Sequence, residues 1–434
     1  MTATGSVPAP GRLEFAAIWV ALFSLTAGLP WEWTQVLRRG EVTGGSPIIA
    51  VFFIGIAGFL ALQMNGRWPQ FFAIFSREPL LPLLLFLAFI SFIWSGDPTT
   101  TIRRSIALLV TSYIGVHLAM RFTQFEILRM LATIFGAIVA INLAWIIFLP
   151  QFSGPPNSAG ATGFDDRLTG VFTQPNPLGR VMALASFTML AAFRLDRRRR
   201  AYYLAAGAAA VIVLLLSQSR TALLTAGTTS ILLVIFLIFR ARRTLFGAVA
   251  ISMTTAVFGT VGFIALNLGN FAAALDRDIT LTGRVPLWQV LIPMVQENAL
   301  LGRGYDAFWL GWGSPAQEVW NQEQWLPPHG HNEFLDVALT LGVGGLAIYV
   351  ALLIRTTIRA TRYIRDIPHV FGLWPLTYLA FFVSATVTES GVFGRDISWA
   401  LLCTAVVLVS AKKREIDDPV KPELAEPPSP QLVP

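Results

Sequence analysis

Charge is what this 434-residue chain has least of: Asp, Glu, Lys and Arg make up 13% of it, against 54% apolar residues. Mean hydropathy is +0.62. A water-soluble domain carries about twice that share of charge, so a soluble core is excluded and a polytopic membrane protein is expected. Cysteine is nearly absent; the single thiol, Cys403, lies in an apolar run, which rules out an internal disulfide. Lysine occurs only beyond residue 410, so the apolar part of the chain relies on arginine as its strong cation. The formal charge of +7 is scattered at helix ends with no soluble domain to present it, which argues against nucleic acid and for topology plus contact with membrane lipids. A basic leader with a small-residue cleavage site is also missing, so the first apolar run is expected to stay as a helix.

What is present is hydrophobic length. Apolar windows recur near 13–29, 46–64, 79–95, 103–120, 127–149, 178–194, 201–217, 221–239, 244–267, 335–354, 370–387 and 396–410. An all-α polytopic integral membrane protein with about twelve transmembrane helices follows. Basic clusters follow the sixth, eighth, tenth and last windows: Arg197 to Arg200; Arg240, Arg242 and Arg243; Arg355, Arg359, Arg362 and Arg365; Lys412 to Arg414. With an even count all four share one side, which the positive-inside rule makes cytoplasmic along with both termini.

Residues 1–12 and 411–434 read as cytoplasmic tails, the latter charged and proline-rich, and 13–410 as the transmembrane domain. Two segments on the outer side are longer than connectors: about 150–177, rich in glycine and proline, and about 268–334, which carries Trp288, Tyr305, Trp309, Trp312, Trp320 and Trp325. Long loops with many aromatics and few charges are expected to be functional. The working surface is therefore placed on the outer side.

The arginines that break the charge rule are the informative ones: Arg167, Arg180, Arg220, Arg277, Arg284 and Arg303 fall outside. In "LLLSQSRTALLTAG" a corner made of Ser217, Gln218, Ser219, Arg220 and Thr221 separates two spans, which puts Arg220 at the outer interface, expected to turn inward. Such a residue either snorkels to headgroups, pairs with a carboxylate such as Glu389, or binds an anion. In "LTGRVPLWQ", Arg284 stands between Gly283 and Pro286, a turn into a helix whose first amides face an incoming anion. In "LLGRGYDAFW", Arg303 lies between two glycines, which permits close backbone approach to a ligand. Before the tenth window "PHGHNEFLD" sets His329 and His331 two apart, with Asn332 able to cap the helix. Nearby arginines favour a neutral imidazole, so His331 is a candidate general base. The pair is also half of a metal site, for which no third and fourth outer ligands are evident, or a pair of interface residues. His117 and His369 read as structural.

Taken in order, "SQSRTALL", "LTGRVPLW", "LLGRGYDAFW" and "PHGHNEFLDVALTLGVGGLAIY" resemble the O-antigen ligase and Wzy-type polymerase superfamily over about residues 160–360. "GVFTQPNPLG", with Asn176, is similar to that family's turn before the sixth span. The resemblance implies a fold like the C-type glycosyltransferases. It also implies metal-independent, cofactor-free transfer of a glycan from undecaprenyl pyrophosphate to an acceptor glycan hydroxyl, with inversion, at the periplasmic face of a bacterial inner membrane. It assigns the pyrophosphate to Arg220 and Arg284, with Arg303 at a less regular position, and the base to His331. Ser217, Ser219, His329, Asn332 and Asn176 are expected to support them. "GYDAFW" and the tryptophan-containing run to "PPHGHNEFLD" favour an exopolysaccharide or O-antigen polymerase over a ligase acting on lipid A-core. A chain-length regulator and export machinery are candidate partners. A flippase for lipid-linked sugars is the rival of another class, disfavoured because the halves do not visibly repeat. A metal-dependent transferase would need outward carboxylates, and Glu32 and Asp97 are isolated in the sequence.

Overall fold

The computed structural model describes residues 10–28, 47–154, 167–239, 284–323, 326–366 and 373–410. The expected span at 244–267, Glu32, Arg277, Gly283, Trp325, His369 and most of both tails lie outside the described residues. The described residues are all-helical. In chain order they form α1 (Arg12–Ala27), α2 (Pro47–Gln63), α3 (Trp68–Arg77), α4 (Leu80–Ile90), α5 (Pro98–Arg121), α6 (Gln124–Phe148), α7 (Pro175–Leu195), α8 (Arg200–Leu216) and α9 (Arg220–Phe239). There follow α10 (Arg284–Glu297), α11 (Ala316–Gln322), α12 (Glu333–Asp366), α13 (Leu373–Thr388) and α14 (Ile397–Ser410).

Local chemistry sets the helix starts. Asp97 accepts from the amide of Thr100 with Pro98 next in line, so this carboxylate is a cap and not an isolated outer ligand. Thr123 and Glu126 exchange bonds as a capping box for α6. Asn332 accepts from Phe334 and Leu335 and opens α12, as its sequence position suggested.

Among the described residues, five helices are long and apolar enough to cross a bilayer, Gln124–Phe148, Pro175–Leu195, Arg197–Leu216, Arg220–Leu237 and Glu333–Ile364, or six if the pair bent by 105° between α2 and α3 is one span. That is fewer than the expected twelve, and the reasons are physical. Helices α1 and α4 are 16 and 11 residues long, short of the ~20 that span a bilayer core, and the described parts of α13 and α14 are 16 and 14 residues. Helix α5 has the length but carries Arg103, Arg104 and a row of threonines and serines. Helix α14 is buried from Ile397 to Val409, so protein surrounds it. By contrast α8 and α9 leave Leu204, Ile212, Leu215, Leu224, Ile231 and Val234 exposed, a surface that only a lipid solvent tolerates at this extent.

Buried ion pairs mark one end of the bundle. Glu14 at the start of α1 meets His117 and Arg121 at the end of α5. Gln124 accepts from Tyr363. Arg355 and Arg359 close on Glu78, and Arg359 also donates to Ser410 at the end of α14. Here His117 is structural, as its place at a helix end suggested.

Residues 284–323 are a folded satellite and not a loose loop: Val285, Leu287, Trp288, Leu291, Met294, Phe308, Ala316 and Val319 pack on Leu339 of α12. The satellite also repairs a break. Helix α12 is interrupted at Gly342, with φ 68° and ψ −174°, and the carbonyls this frees at Leu339 and Thr340 accept from the amides of Arg303 and Gly304 at 2.9 Å each. Irregular backbone at membrane depth is tolerated when protein supplies the lost partners. A Cβ on Gly302 would lie 2.5 Å from the Thr340 carbonyl carbon. Gly302→Ala is therefore expected to destabilise the protein by about 1–3 kcal/mol or more. Gly58→Ala, whose Cβ meets nothing within 4 Å, should be silent. Melting of both variants in detergent checks this; equal midpoints would contradict the lock.

Candidate active site

Five chain segments meet at the end of the bundle away from the Glu78 cluster; the part of α12 beyond its break, Val343 to Arg359, alone is about 24 Å long at 1.5 Å per residue. Their meeting point is Glu389, just beyond α13. Its Oε1 accepts from Arg284 Nη2 at 2.8 Å, Asn176 Nδ2 at 2.7 Å and Thr221 Oγ1 at 3.3 Å. Its Oε2 lies 3.4 Å from His331 Nδ1. The Arg284 and Glu389 side chains are only 6% and 11% exposed, so the pair is desolvated and geometry must compensate.

Each approach has a local cause. Asn176 lies in the first turn of α7, and α7 reaches the α8–α9 corner because a Cβ at Gly179 would fall 2.7 Å from Ala222 Cβ and 2.9 Å from Ser217 Oγ. The corner is tight, with Gln218 at φ 47°. Ser217 Oγ bonds the Leu214 carbonyl and accepts from the Ser219 amide, so it shapes the turn. Ser219 donates to Asn176 Oδ1 at 2.8 Å, which leaves the asparagine amide aimed at Glu389.

Successive helix positions point about 100° apart, and at the start of α9 this turns Thr221 to the hub while Arg220 is exposed. The expected inward turn of Arg220 is thus corrected, and its suggested partner Glu389 pairs with Arg284 instead. Arg220 lies close enough to Arg167 for its charge to add to burial in lowering the Arg167 pKa. Arg303 is corrected too. Gly302 brings backbone against α12 and Gly304 brings it against Ser95, and the Arg303 guanidinium bonds Glu297 at 2.7 Å.

The histidine loop is held from both sides at Gly330. Its amide donates to the carboxylate of Asp336, which also takes the Trp309 indole N–H at 2.7 Å, and its carbonyl accepts from the Trp288 indole at 2.8 Å. The backbone then enters the left-handed region at His331, φ 50°, strain of the kind that persists where surroundings over-determine it. The rings of His329 and His331 lie 4.1 Å apart, edge to face, and the Asn332 amide donates to Ser390 beside the hub. Asp336, Trp288 and Thr221 were not legible as site residues. Trp288, Trp309 and Trp320 spend their N–H groups inside the protein, while Trp312 is 66% exposed.

Electrostatics set distinct roles. Burial alone would raise the Glu389 carboxyl, but the bond to His331 and the charge of Arg284 outweigh it and hold it at about 2. Burial lowers the Arg284 guanidinium, partly offset by Glu389. Burial, then the neighbouring His331 and the charges of Arg180 and Arg284, push the His329 imidazole down to about 3 against partial relief from Glu389. His329 is therefore neutral in the folded protein near pH 7. Below about pH 6.5 the unfolded chain gains a proton at this residue that the folded chain refuses until about 3. Its contribution to stability is thus complete above 6.5 and declines as pH falls. The melting advantage of the wild type over His329→Gln should shrink from pH 7.5 to 5; a constant difference would contradict this.

His329, His331 and Glu389 place ligand atoms within 4.8 Å of one another, so the third donor that the sequence did not reveal exists. Its chemistry favours hydrogen bonding over a cation. Oε1 already serves three donors, one of them a guanidinium that repels a divalent ion.

A polytopic helical membrane protein with an Arg-His-Glu cluster at one end of its bundle is the class these features define. Residues 205–350 match the model of the O-antigen ligase family. The chain is 33% identical over 122 residues to the exopolysaccharide production protein ExoQ of Rhizobium meliloti (strain 1021), a match covering 27% of this chain and 26% of the relative. Both matches support the resemblance to the O-antigen ligase and Wzy-type family over the middle of the chain. The match spans about a quarter of the relative's length. Ser217, Ser219, Arg220, Arg284, Arg303, His329, His331 and Asn332 fall inside the family-matched region; Asn176 and Glu389 fall outside it.

Proposed function

We propose that the protein is a membrane glycosyltransferase. On this reading it moves an oligosaccharide from undecaprenyl pyrophosphate to an acceptor sugar hydroxyl and polymerises exopolysaccharide or O-antigen repeat units. About twelve segments cross a bacterial inner membrane, both termini are cytoplasmic, and the site is periplasmic, because the Arg355 and Arg359 end takes the positive-inside position. The observation that carries the reading is the convergence of Asn176, Thr221, Arg284 and His331 on the buried carboxylate of Glu389 at the opposite end.

Glu389 faces Nδ1 of His331, so a proton there leaves the Nε2 lone pair as acceptor. Nε2 takes the proton of the acceptor hydroxyl as its oxygen bonds to the anomeric carbon. The bond from that carbon to the pyrophosphate oxygen breaks, and its electron pair leaves with undecaprenyl pyrophosphate. The anomeric carbon is inverted. Negative charge grows on the leaving oxygen, where fixed guanidinium donors contribute most. Arg284 commits Nη2 to Glu389 and keeps other N–H donors for the anion. Arg220, exposed at the mouth, supplies a second cation.

The description of the matched family favours one second reading, ligation of glycan to lipid A-core. Reconstitution with a lipid-linked repeat unit separates the two. A ladder of longer lipid-linked products is expected; transfer only to lipid A-core would establish the ligase, and translocation without joining would overturn both in favour of a flippase. Chelator should leave the rate unchanged, and loss of activity restored by a divalent cation would contradict the hydrogen-bonding role given to Glu389.

A further inference from the structure

In the satellite of residues 284–323, Trp288, Trp309 and Trp320 each donate the indole N–H to a protein oxygen. Trp312 makes no such bond among the described residues, and most of its ring faces outward. Its place is nevertheless built. The turn that carries it passes through Gly311 at φ 101° and Gly313 at φ 87°, conformations that glycine adopts at little cost. Ser314 Oγ donates to the Gly311 carbonyl at 2.6 Å, and the Gly313 amide donates to Gln317 Oε1 at 2.8 Å. The Trp312 ring meets the Trp320 ring edge to face at 5.3 Å. An ordered turn therefore holds a large apolar ring in an exposed position. We propose that Trp312 and the adjoining face of α11 hold an uncharged sugar ring of the substrate glycan, remote from the reacting bond, an inference that rests on the function proposed above.

Two observations choose a sugar over the lipid interface, the competing surrounding for an outward tryptophan. The first is the chemistry around the ring. Residues 310–323 contain no lysine or arginine, and α11, which touches Trp312 through Trp320, exposes Glu318, Asn321 and Gln322. Tryptophans that anchor a protein at the headgroups keep company with basic residues, and anionic lipid repels carboxylates. An indole face near amides and carboxylates matches a pyranose, whose C–H face is apolar and whose rim of hydroxyls both donates and accepts. Glu318 and Glu323, with no cation to offset them in this segment, disfavour an acidic sugar. The second observation is the route to the hub. Trp320 donates to the Pro327 carbonyl at 2.9 Å, two residues before His329. The His329 ring lies 4.1 Å from that of His331. By these contacts and the reach of the chain, Trp312 is within about 25 Å of the proposed base, a span that a glycan of several sugars bridges.

Glycan length should separate the subsite from the chemistry. Full-length Trp312→Ala and Trp312→Phe are to be assayed with a donor carrying its whole repeat unit and with one trimmed to the single sugar on the pyrophosphate, and then with the acceptor trimmed in the same way. For Trp312→Ala the expected result is a KM raised about tenfold for a whole unit and changed less than about twofold for its trimmed form, with kcat retained. Trp312→Phe keeps a ring face and should stay within about threefold of the wild type. The substrate whose KM responds is the one whose glycan the ring holds. Equal change for whole and trimmed forms of both substrates, or no change for any, overturns the assignment. Repeat-unit oligosaccharide released from its lipid by mild acid reads the subsite without turnover. Calorimetry should find it bound about tenfold more weakly by Trp312→Ala, and equal affinity overturns the proposal. Trp312→Cys supplies an accessible thiol, because Cys403 is buried. Its modification by a water-soluble maleimide in sealed or freeze-thawed proteoliposomes supports a solvent-facing site; shielding in both overturns it in favour of a lipid anchor. Wild-type protein that binds the oligosaccharide but joins no units sinks the proposed reaction and keeps the subsite.

Discussion

Replacing His331 with alanine is expected to lower glycan transfer by about 10²–10⁴-fold, the usual contribution of a positioned general base, while insertion and abundance stay unchanged. The ring is held by strained backbone at φ 50° and faces a carboxylate at 3.4 Å, so its removal takes away a proton acceptor and little packing. His331→Gln should be as poor, because an amide at that position cannot accept the proton. Single-turnover rates with a lipid-linked repeat unit are the measurement. Retained chemistry in either variant would remove the proposed base.

Glu389→Ala carries the second large effect, and it falls on folding as well as activity. Removing one partner of a buried ion pair typically costs about 3–5 kcal/mol, because the other charge is left desolvated. Here Arg284 is left at 6% side-chain exposure, and the donors of Asn176 and Thr221 lose their acceptor. Glu389→Gln keeps an acceptor but not the charge and should fall between the two. The double variant Glu389→Gln, Arg284→Gln should recover much of the stability and none of the activity. Melting and turnover of the three proteins test this, and a stable, inactive Glu389→Ala would show that the carboxylate serves chemistry alone.

Much of this site was legible because its chemistry is costly in a membrane. Arginines on the wrong side of the charge rule and a His-x-His before a cap each announced themselves, and Arg284 and His331 do meet at one carboxylate. Glu389 was visible as an isolated acid between apolar runs, but helix periodicity does not say which cation it will meet across 105 residues. Arg303 misled because a glycine next to an arginine looks the same whether the backbone nears a ligand or a broken helix; only the freed carbonyls of Leu339 and Thr340 distinguish them. Hydrophobic length alone did not separate helices apolar through contact with lipid from α13 and α14, which are apolar through burial in protein as well.

Binding of undecaprenyl pyrophosphate against undecaprenyl monophosphate, in wild type and in Arg284→Gln and Arg220→Gln, tests the central claim most directly. The wild type should prefer the pyrophosphate by about tenfold or more, near the worth of one charge-assisted hydrogen bond, and each variant should lose that preference. Equal affinity for the two lipids in the wild type would contradict an anion site built from these arginines.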